Sequence, residues 1–362
     1  MPLLRSPLVT GRLGFLLPPM SPLGVSSPGA PAGGHTIGRN CDPTYGTTEW
    51  VARLASAAED AGAAGVWASD HLFWTRPVPE CLTTLAVAAG ATREAAIGTC
   101  VLQLPLRASA AVAKQAASLQ VLSGGRFVLG VGVGSHRGEY ELAGVPFSTR
   151  GKALDAGIEA LRAAWGTAER PGGYRLQPAA SVPVWIGGAS TAALRRAASK
   201  GDGWMPLFVG PAQFAELLGQ LRAWSHQAGR PLDAVVPAVV MVVAVDDDPA
   251  AAAAAGTAWL AALYGIPAKA FGRHLVAGPA AQCAEIAARY VAAGAAHVVV
   301  LVAGDDALGQ FRALAAAYDR LAGSPAGRPR GGGNPGTPAP RGTAGDRAPR
   351  RARAHDVAEA LA

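Results

Sequence analysis

Cysteine is scarce in this sequence, and its four residues, Cys41, Cys81, Cys100 and Cys283, lie far apart. None belongs to a CxxC pair, and none has a histidine at the spacing of a metal site. The sequence therefore indicates neither a disulfide framework nor a zinc site, and we expect no metal. Cys100 also lacks a neighbouring His or Lys that would lower its pKa, which favours a packing role over a redox role.

Long hydrophobic runs are missing as well, although half of the 362 residues are apolar. No apolar stretch approaches the ~20 residues that a membrane helix needs. The stretch from Leu13 to Leu17 is soon interrupted by Pro18 and Pro19, unlike a signal peptide. We expect a cytoplasmic protein without a membrane partner, with enough apolar residues to bury a large core.

The net charge of +7 does not indicate a nucleic-acid partner. The last forty residues, 323–362, carry seven Arg and only three acidic residues, which accounts for four of the excess positive charges. The remaining body has no basic stripe interleaved with aromatic residues. Because residues 323–362 are rich in Gly, Pro and Arg, we expect a disordered, solvated tail.

Short apolar strand patterns alternate with helical patterns along residues 1–322. The clearest unit runs from Ala95 to Gly134: the strand-like AAIGTCVLQLPLR, the helix-like ASAAVAKQAASLQVLSGG and the strand-like RFVLGVGVG. Such a βαβ unit has parallel strands whose carboxyl ends open on one face. Eight strands are predicted in all, at Arg12 to Leu17, Gly65 to Ser69, Ala95 to Leu104, Arg126 to Val133, Pro183 to Gly187, Gly203 to Leu207, Pro237 to Val245 and Ala296 to Val302.

Eight alternations favour one closed (β/α)8 barrel, of the TIM type, over residues 1–322. Two connections are long for a plain barrel, Met20 to Thr48 and Asp246 to Gly278, and the second predicts an insertion near the seventh strand. An open dinucleotide-binding sheet is disfavoured, because GVGVGSHRG follows the fourth strand and lacks the GxGxxG spacing.

Polar residues follow the second strand, at the face where barrel enzymes carry their chemistry. His71 can pass a proton near neutral pH. Asp70 could fix the tautomer of His71, or it could cap the following turn. Trp74 could offer a flat wall to a ring-shaped ligand, or it could simply pack in the core.

Two glycine-rich strand ends are further candidates. At the end of the fourth strand, Gly130, Gly132 and Gly134 allow a ligand to approach bare backbone. His136, Arg137 and Glu139 follow and are expected at the rim of the site. Glu139 could instead pair with Arg150 on the surface. After the fifth strand come Gly187, Gly188, Ala189, Ser190 and Thr191. Amides at this helix start could bind a phosphate, or Ser190 or Thr191 could be an ordinary cap.

Five blocks together resemble the bacterial luciferase-like monooxygenase superfamily, and more narrowly its branch that uses the deazaflavin coenzyme F420. The blocks are GVWASDHLF, GTCVLQLPLR, LSGGRFVLGVGVG with EY downstream, FSTRGKALDAGIEALRAAW and PVWIGGASTAALRRAASKGDGW. The resemblance covers about Arg12 to Leu321. It implies a (β/α)8 barrel with an insertion near the seventh strand, a homodimer, and a flavin or deazaflavin over the carboxyl face.

By position, the resemblance implies that His71 is catalytic and that Trp74 lies in the substrate pocket. From their places in the sequence, we also expect Asp70 to act with His71 and the rim residue His136 to meet the substrate. Cys100 and Val101 match a bulge where relatives hold a non-prolyl cis peptide behind the ring. The implied cofactor contacts are Cys100, Val101, Gly132, Gly134, Ser135, Gly187, Gly188, Ala189 and Ser190. Ser135 stands where the sugar-phosphate dehydrogenases of this family place a glutamate, which argues against a sugar phosphate.

The implied reaction is hydride transfer between the deazaflavin and a small C=C, C=N or C=O substrate, or its reverse, with His71 supplying the proton. The alternative cofactor is FMN, and the protein would then be a monooxygenase that uses reduced flavin and oxygen. A remoter alternative is a flavin-binding barrel without catalytic activity.

Overall fold

The computed structural model describes residues 11–19, 46–166 and 175–323. Three features discussed above lie outside the described residues. They are Cys41, most of the connection from Met20 to Thr48, and the predicted disordered tail beyond Gly323. The strands are β1 Arg12–Leu16, β2 Gly65–Ala68, β3 Ala96–Thr99, β4 Leu102–Gln103, β5 Phe127–Gly132, β6 Val184–Gly187, β7 Gly203–Met205, β8 Val236–Val245, β9 Leu275–Gly278 and β10 His297–Val302. The helices are α1 Thr48–Asp60, α2 Cys81–Ala91, α3 Ser109–Leu122, α4 Arg137–Leu142, α5 Arg150–Trp165, α6 Thr191–Lys200, α7 Pro211–Gln227, α8 Pro249–Tyr264, α9 Ala280–Ala292 and α10 Ala307–Gly323.

The sheet closes on itself, which confirms the predicted (β/α)8 barrel. Every pairing is parallel, and the ring runs through β1, β2, the β3 and β4 pair, β5, β6, β7, β8 and β10 back to β1. Closure leaves no open sheet edge in the ring. All carboxyl ends of the ring strands therefore surround one opening.

The third predicted strand, Ala95 to Leu104, is divided in the structure. Ile97 of β3 pairs with Phe127, whereas Leu102 of β4 pairs with Val131, so the register shifts by one residue between them. Such a shift is a bulge, which re-aims the chain at a strand end. The Cys100–Val101 peptide lies within this bulge and is cis.

The predicted insertion between Asp246 and Gly278 contains a helix and a strand. Asp248 caps α8 by accepting a hydrogen bond from the backbone N–H of Ala250 at 2.9 Å, and Gly265 ends the helix in a left-handed conformation. Strand β9 pairs with the last residues of β8. The insertion therefore stands beside the opening of the barrel.

The interior of the barrel is filled by large side chains at its amino end. Trp67 and Trp185 lie 5.3 Å apart between ring centroids, and glycines make room for them. A Cβ at Gly98 would lie 2.2 Å from Trp67, and one at Gly203 would lie 2.4 Å from Trp185. The space left for a ligand is consequently at the carboxyl end. In the part of the chain that the structure describes, none of the helices has the length and apolar character that spanning a membrane requires.

Candidate active site

A cavity of about 320 Å³ opens at the carboxyl ends of the strands, within the range of about 300–1,000 Å³ that ligand pockets occupy. Ten of the thirteen predicted site residues line it: Asp70, His71, Trp74, Cys100, Val101, Gly132, Gly134, Ser135, Gly187 and Gly188. Ala189, Ser190 and His136 are not among its lining residues. The other lining residues are mostly aliphatic, and the insertion adds Leu263 and Tyr264.

His71 is held through one ring nitrogen by a glutamate from another part of the chain. Its Nδ1 lies 3.2 Å from Oε2 and 3.3 Å from Oε1 of Glu139. The backbone N–H of Leu72, next to the histidine, donates to the same carboxylate at 2.5 Å. The side chain of Glu139 thus fixes both the His71 ring and the turn that carries it.

Glu139 is fully buried, with 0% of its surface exposed. Burial alone would raise the pKa of its carboxyl group, but the hydrogen bonds and the positive charge of His71, with hydrogen bonds from Gln103 and Leu72, outweigh burial and lower it. An ionised carboxylate can only accept hydrogen bonds, so Nδ1 of His71 carries the proton that points at Glu139. Nε2 has no hydrogen-bond partner among the described residues and is available to a ligand.

The alternative that Glu139 pairs with Arg150 on the surface is wrong. Short helix α4 turns Glu139 inward, towards His71, while Arg150 donates to the Phe147 carbonyl and lies 3.7 Å from the centre of the Phe147 ring. The sequence analysis had assigned Glu139 to the rim of the site, whereas in the structure it is the partner of His71. The available signal was its position in GEY, five residues after Gly134 of the glycine loop.

Asp70 does not hold the His71 ring, contrary to one of the two sequence interpretations. Its carboxylate is buried and accepts hydrogen bonds from Arg107 at 2.6 Å and from the backbone N–H of Gln103 at 3.0 Å. Arg107 also bonds to Glu80 at 2.9 Å. Asp70 therefore ties the end of β2 to the bulged strand beside it, and the charge of Arg107 balances its own.

Gln103 connects the two carboxylate systems, and sequence reasoning missed it. Its Nε2 donates to the Asp70 backbone carbonyl at 2.9 Å and to Oε2 of Glu139 at 3.1 Å. Its Oε1 is buried without a partner among the described residues, and it fills the place that a side chain at position 134 would need. A single polar residue in the apolar run VLQLP was the only sequence signal.

Aromatic rings form a row beside His71. Trp74 stacks on the imidazole at 3.9 Å between centroids, and the rings of His136 and Tyr264 meet Trp74 edge-on at 5.6 and 5.8 Å. The structure thus supports a wall at Trp74 rather than isolated core packing. The His136 ring contacts Trp74 but does not itself line the cavity.

Val101 and bare backbone form another part of the cavity lining. A Cβ at Gly132 would lie 2.6 Å from Val101, and one at Gly187 would lie 2.9 Å from it. A larger residue at position 132 or 187 would collide with the Val101 side chain, which packs between these two strand ends. The bulge predicted from the sequence therefore presents an apolar surface to the cavity.

Ser190 caps helix α6, which was the alternative to a phosphate site. Its hydroxyl accepts a hydrogen bond from the backbone N–H of Ala193 at 3.3 Å. The preceding Gly188 has a φ of +103°, a conformation that glycine tolerates at little cost. Phosphate binding at Gly187 to Ser190 stays a prediction.

Curated relatives are similar to parts of this chain. An uncharacterized protein of Mycobacterium tuberculosis is 35% identical over 170 residues, which is 43% of this chain and 57% of that protein; the chain thus spans little more than half of that relative. An F420-dependent glucose-6-phosphate dehydrogenase of Nakamurella multipartita is 34% identical over 209 residues, covering 52% of this chain and 61% of that enzyme.

Solved structures share the fold. An F420-dependent secondary alcohol dehydrogenase in complex with an F420-acetone adduct superposes with a TM-score of 0.66 at 18% identity, covering 78% of this chain and 96% of that one. The sequence profile of the luciferase-like monooxygenase family matches residues 34–298, well over half of the chain. The protein therefore belongs to the luciferase-like monooxygenase family.

Proposed function

We propose that the protein is an F420-dependent oxidoreductase that acts on a small organic C=O, C=N or C=C bond, or in the reverse direction. The observation that carries this proposal is the His71 ring, fixed through Nδ1 by an ionised Glu139, with Nε2 available to the cavity. A ring fixed in this way can give or take one proton at a defined atom.

The residues present fit a flat heteroaromatic ring. Val101, Gly132 and Gly187 make an apolar surface along one side of the cavity. His71 and Trp74 stand on the carboxyl-end loop after β2 and supply polar and aromatic contacts. Two of the comparisons, the dehydrogenase of Nakamurella multipartita and the secondary alcohol dehydrogenase, name F420 and support this cofactor.

Reduced F420, when bound, supplies a hydride from C5 to the substrate carbon. His71 supplies the other half of the reaction: Nε2–H gives its proton to the substrate oxygen or nitrogen. A C=O group thereby becomes CH–OH, and the neutral imidazole takes up a proton from water. In the reverse direction the neutral Nε2 accepts the hydroxyl proton, and Glu139 stabilises the resulting positive charge.

Titration of the purified protein with F420 and with FMN, in both redox states, tests the proposal through ring absorbance and fluorescence. We expect micromolar or tighter binding of F420. Preference for FMN, with oxygen consumption by the reduced complex, would identify a monooxygenase instead. Binding of neither ring to folded protein would refute a cofactor-dependent function.

His71→Asn separates an enzyme from a passive binding protein. We expect F420 affinity to change little and turnover to fall by about 10²–10⁴-fold, the usual contribution of a general acid. His226→Asn is the matched control, since His226 is exposed in the last turn of α7. Normal turnover of the His71 variant would refute the proposed role of His71.

A further inference from the structure

The insertion brings a tyrosine to the proposed reaction site. Tyr264 is the last residue of α8 and lines the cavity together with Leu263. Its ring meets Trp74 edge-on at 5.8 Å, and Trp74 in turn stacks on His71. The insertion therefore reaches the side of the cavity where the proposed proton transfer takes place.

The position of Tyr264 is fixed from two directions. The Thr75 hydroxyl, in the loop after β2, donates to the backbone carbonyl of Leu263 at 2.5 Å. The rings of Phe208 and Phe271 pack against Tyr264 at 5.8 and 5.5 Å between centroids. These contacts hold the aromatic ring in place.

The hydroxyl of Tyr264 differs from those of the other described tyrosines. Tyr140 donates to the Val133 carbonyl, Tyr290 to that of Val209 and Tyr318 to that of Gly11. Within residues 11–19, 46–166 and 175–323, the Tyr264 hydroxyl has no hydrogen-bond partner. A phenol in so apolar a setting normally has one, which points to a ligand atom as the missing partner.

Burial raises the pKa of Tyr264, and the nearby Cys100 thiol adds to this effect. The phenol consequently stays protonated and can donate a hydrogen bond to an oxygen acceptor. Much of the cavity lining is apolar, including Leu16, Leu17, Met205, Leu207, Val240 and Leu301. Such a lining favours an apolar molecule with few polar atoms.

We infer that Tyr264 donates a hydrogen bond to the substrate oxygen, and that the substrate is an apolar ketone or the corresponding secondary alcohol. This inference rests on the proposed function and deepens it, because a C=C bond without a neighbouring oxygen would leave the Tyr264 hydroxyl unpaired. The insertion is then the segment that selects the substrate, whereas His71 transfers the proton and the bulge provides the apolar surface for the cofactor ring.

Tyr264→Phe removes this one hydroxyl and keeps the ring. The probe is cyclohexanone, with acetone and acetophenone as smaller and larger ketones, added to the complex with oxidised F420, where no turnover occurs. Quenching of F420 fluorescence then reports the dissociation constant of the ketone. We expect this constant, and KM with reduced F420, to rise about tenfold, the equivalent of one hydrogen bond of about 1.4 kcal/mol. The dissociation constant of F420 should stay the same and kcat should change less than KM.

Two controls make the result specific. Tyr290→Phe removes a hydroxyl that bonds to Val209 outside the cavity, and it should leave ketone binding unchanged. Methylenecyclohexane has the shape of cyclohexanone without its oxygen; the wild-type protein should prefer the ketone, and Tyr264→Phe should lose that preference.

The outcomes separate this inference from the proposed function. If the wild-type protein fails to bind F420, or reduces none of the three ketones, the proposed function for carbonyl compounds fails and the inference falls with it. If the wild-type protein binds and reduces a ketone but Tyr264→Phe keeps its KM and its preference, the inference alone is overturned. A weaker F420 complex with unchanged ketone binding would also overturn it, since the hydroxyl would then hold the cofactor.

Discussion

Oε2 of Glu139 lies 3.2 Å from Nδ1 of His71, although the two residues are 68 positions apart in the chain. One follows β5 and the other follows β2, and the two strand ends come together because β2 and β5 both pair with β3 in the sheet. The contact decides which nitrogen of His71 faces the cavity, and it places a negative charge where a protonated imidazole needs one.

Glu139→Gln should lower kcat for ketone reduction by about ten- to a hundredfold. The substitution removes the negative charge that faces Nδ1 of His71 and replaces a charge-assisted hydrogen bond of about 1.5–3 kcal/mol with a neutral one. The measurement is kcat at one fixed pH, with Glu141→Gln as the control because Glu141 is exposed on the same helix. An unchanged kcat would show that Glu139 does not act on His71.

The same carboxylate should make stability depend on pH in the acid range. The pKa of Glu139 is lower in the folded protein than its ordinary value of 4.5, so its ionised form stabilises the fold above that value and this contribution disappears as pH falls below it. The difference in free energy of unfolding between the wild-type protein and Glu139→Gln should therefore shrink between about pH 6 and about pH 3. Urea unfolding at several pH values measures it. A constant difference would contradict the lowered pKa.

The barrel was predictable from the sequence because each strand and helix signal is local. Apolar runs such as FVLGVG and helices with caps such as Asp248 can be read within a few residues. The pause at Gly98, Thr99 and Cys100 before Val101 indicates where the third strand can bulge inward, and the family resemblance predicts a bulge at the same place.

The hydrogen-bond partners within the site were not predictable in the same way. Helix α4 has six residues, too few for its buried face to appear as a hydrophobic period. Asp70 precedes His71 in sequence and was the natural candidate to hold it, yet neighbouring residues on a strand end point in different directions. The partner of each carboxylate depends on which strands become neighbours, and that is a property of the whole sheet.

Gly134→Ala should disturb the site more than Gly144→Ala. Both glycines have a positive φ, +69° and +67°, so both variants carry the same backbone cost. A Cβ at Gly134 would lie 1.8 Å from Oε1 of Gln103, whereas one at Gly144 meets nothing within 4 Å. To make room, Gln103 must give up its hydrogen bond to Glu139, at an additional cost of about 1–3 kcal/mol. Thermal unfolding and kcat of the two variants test this; equal effects would show that Gln103 moves freely.

Arg107→Met should destabilise the protein far more than Arg162→Met. Arg107 lies 2.6 Å from the Asp70 carboxylate, and the two side chains are 17% and 3% exposed, whereas Arg162 and Asp202 lie 2.7 Å apart with 39% and 36% exposure. Removing one partner of a buried pair leaves an uncompensated charge and costs about 3–5 kcal/mol, while an exposed pair contributes at most about 1 kcal/mol.

The double variant Arg107→Met with Asp70→Asn identifies the cause. It removes the negative charge of Asp70, which Arg107→Met leaves without its partner. It keeps an oxygen acceptor for the backbone N–H of Gln103, which donates to Asp70 at 3.0 Å. If the uncompensated carboxylate is responsible, the double variant should recover most of the stability lost by Arg107→Met, as measured by urea unfolding in a double-mutant cycle. If instead Arg107 acts mainly through the packing of its aliphatic stem, the second substitution should recover nothing, and the loss should be the same at acid and neutral pH. A cost no larger than that of Arg162→Met would show that water reaches Asp70 and screens it, and the loop that carries His71 would then be held by its other contacts, among them those with Glu139 and Gln103.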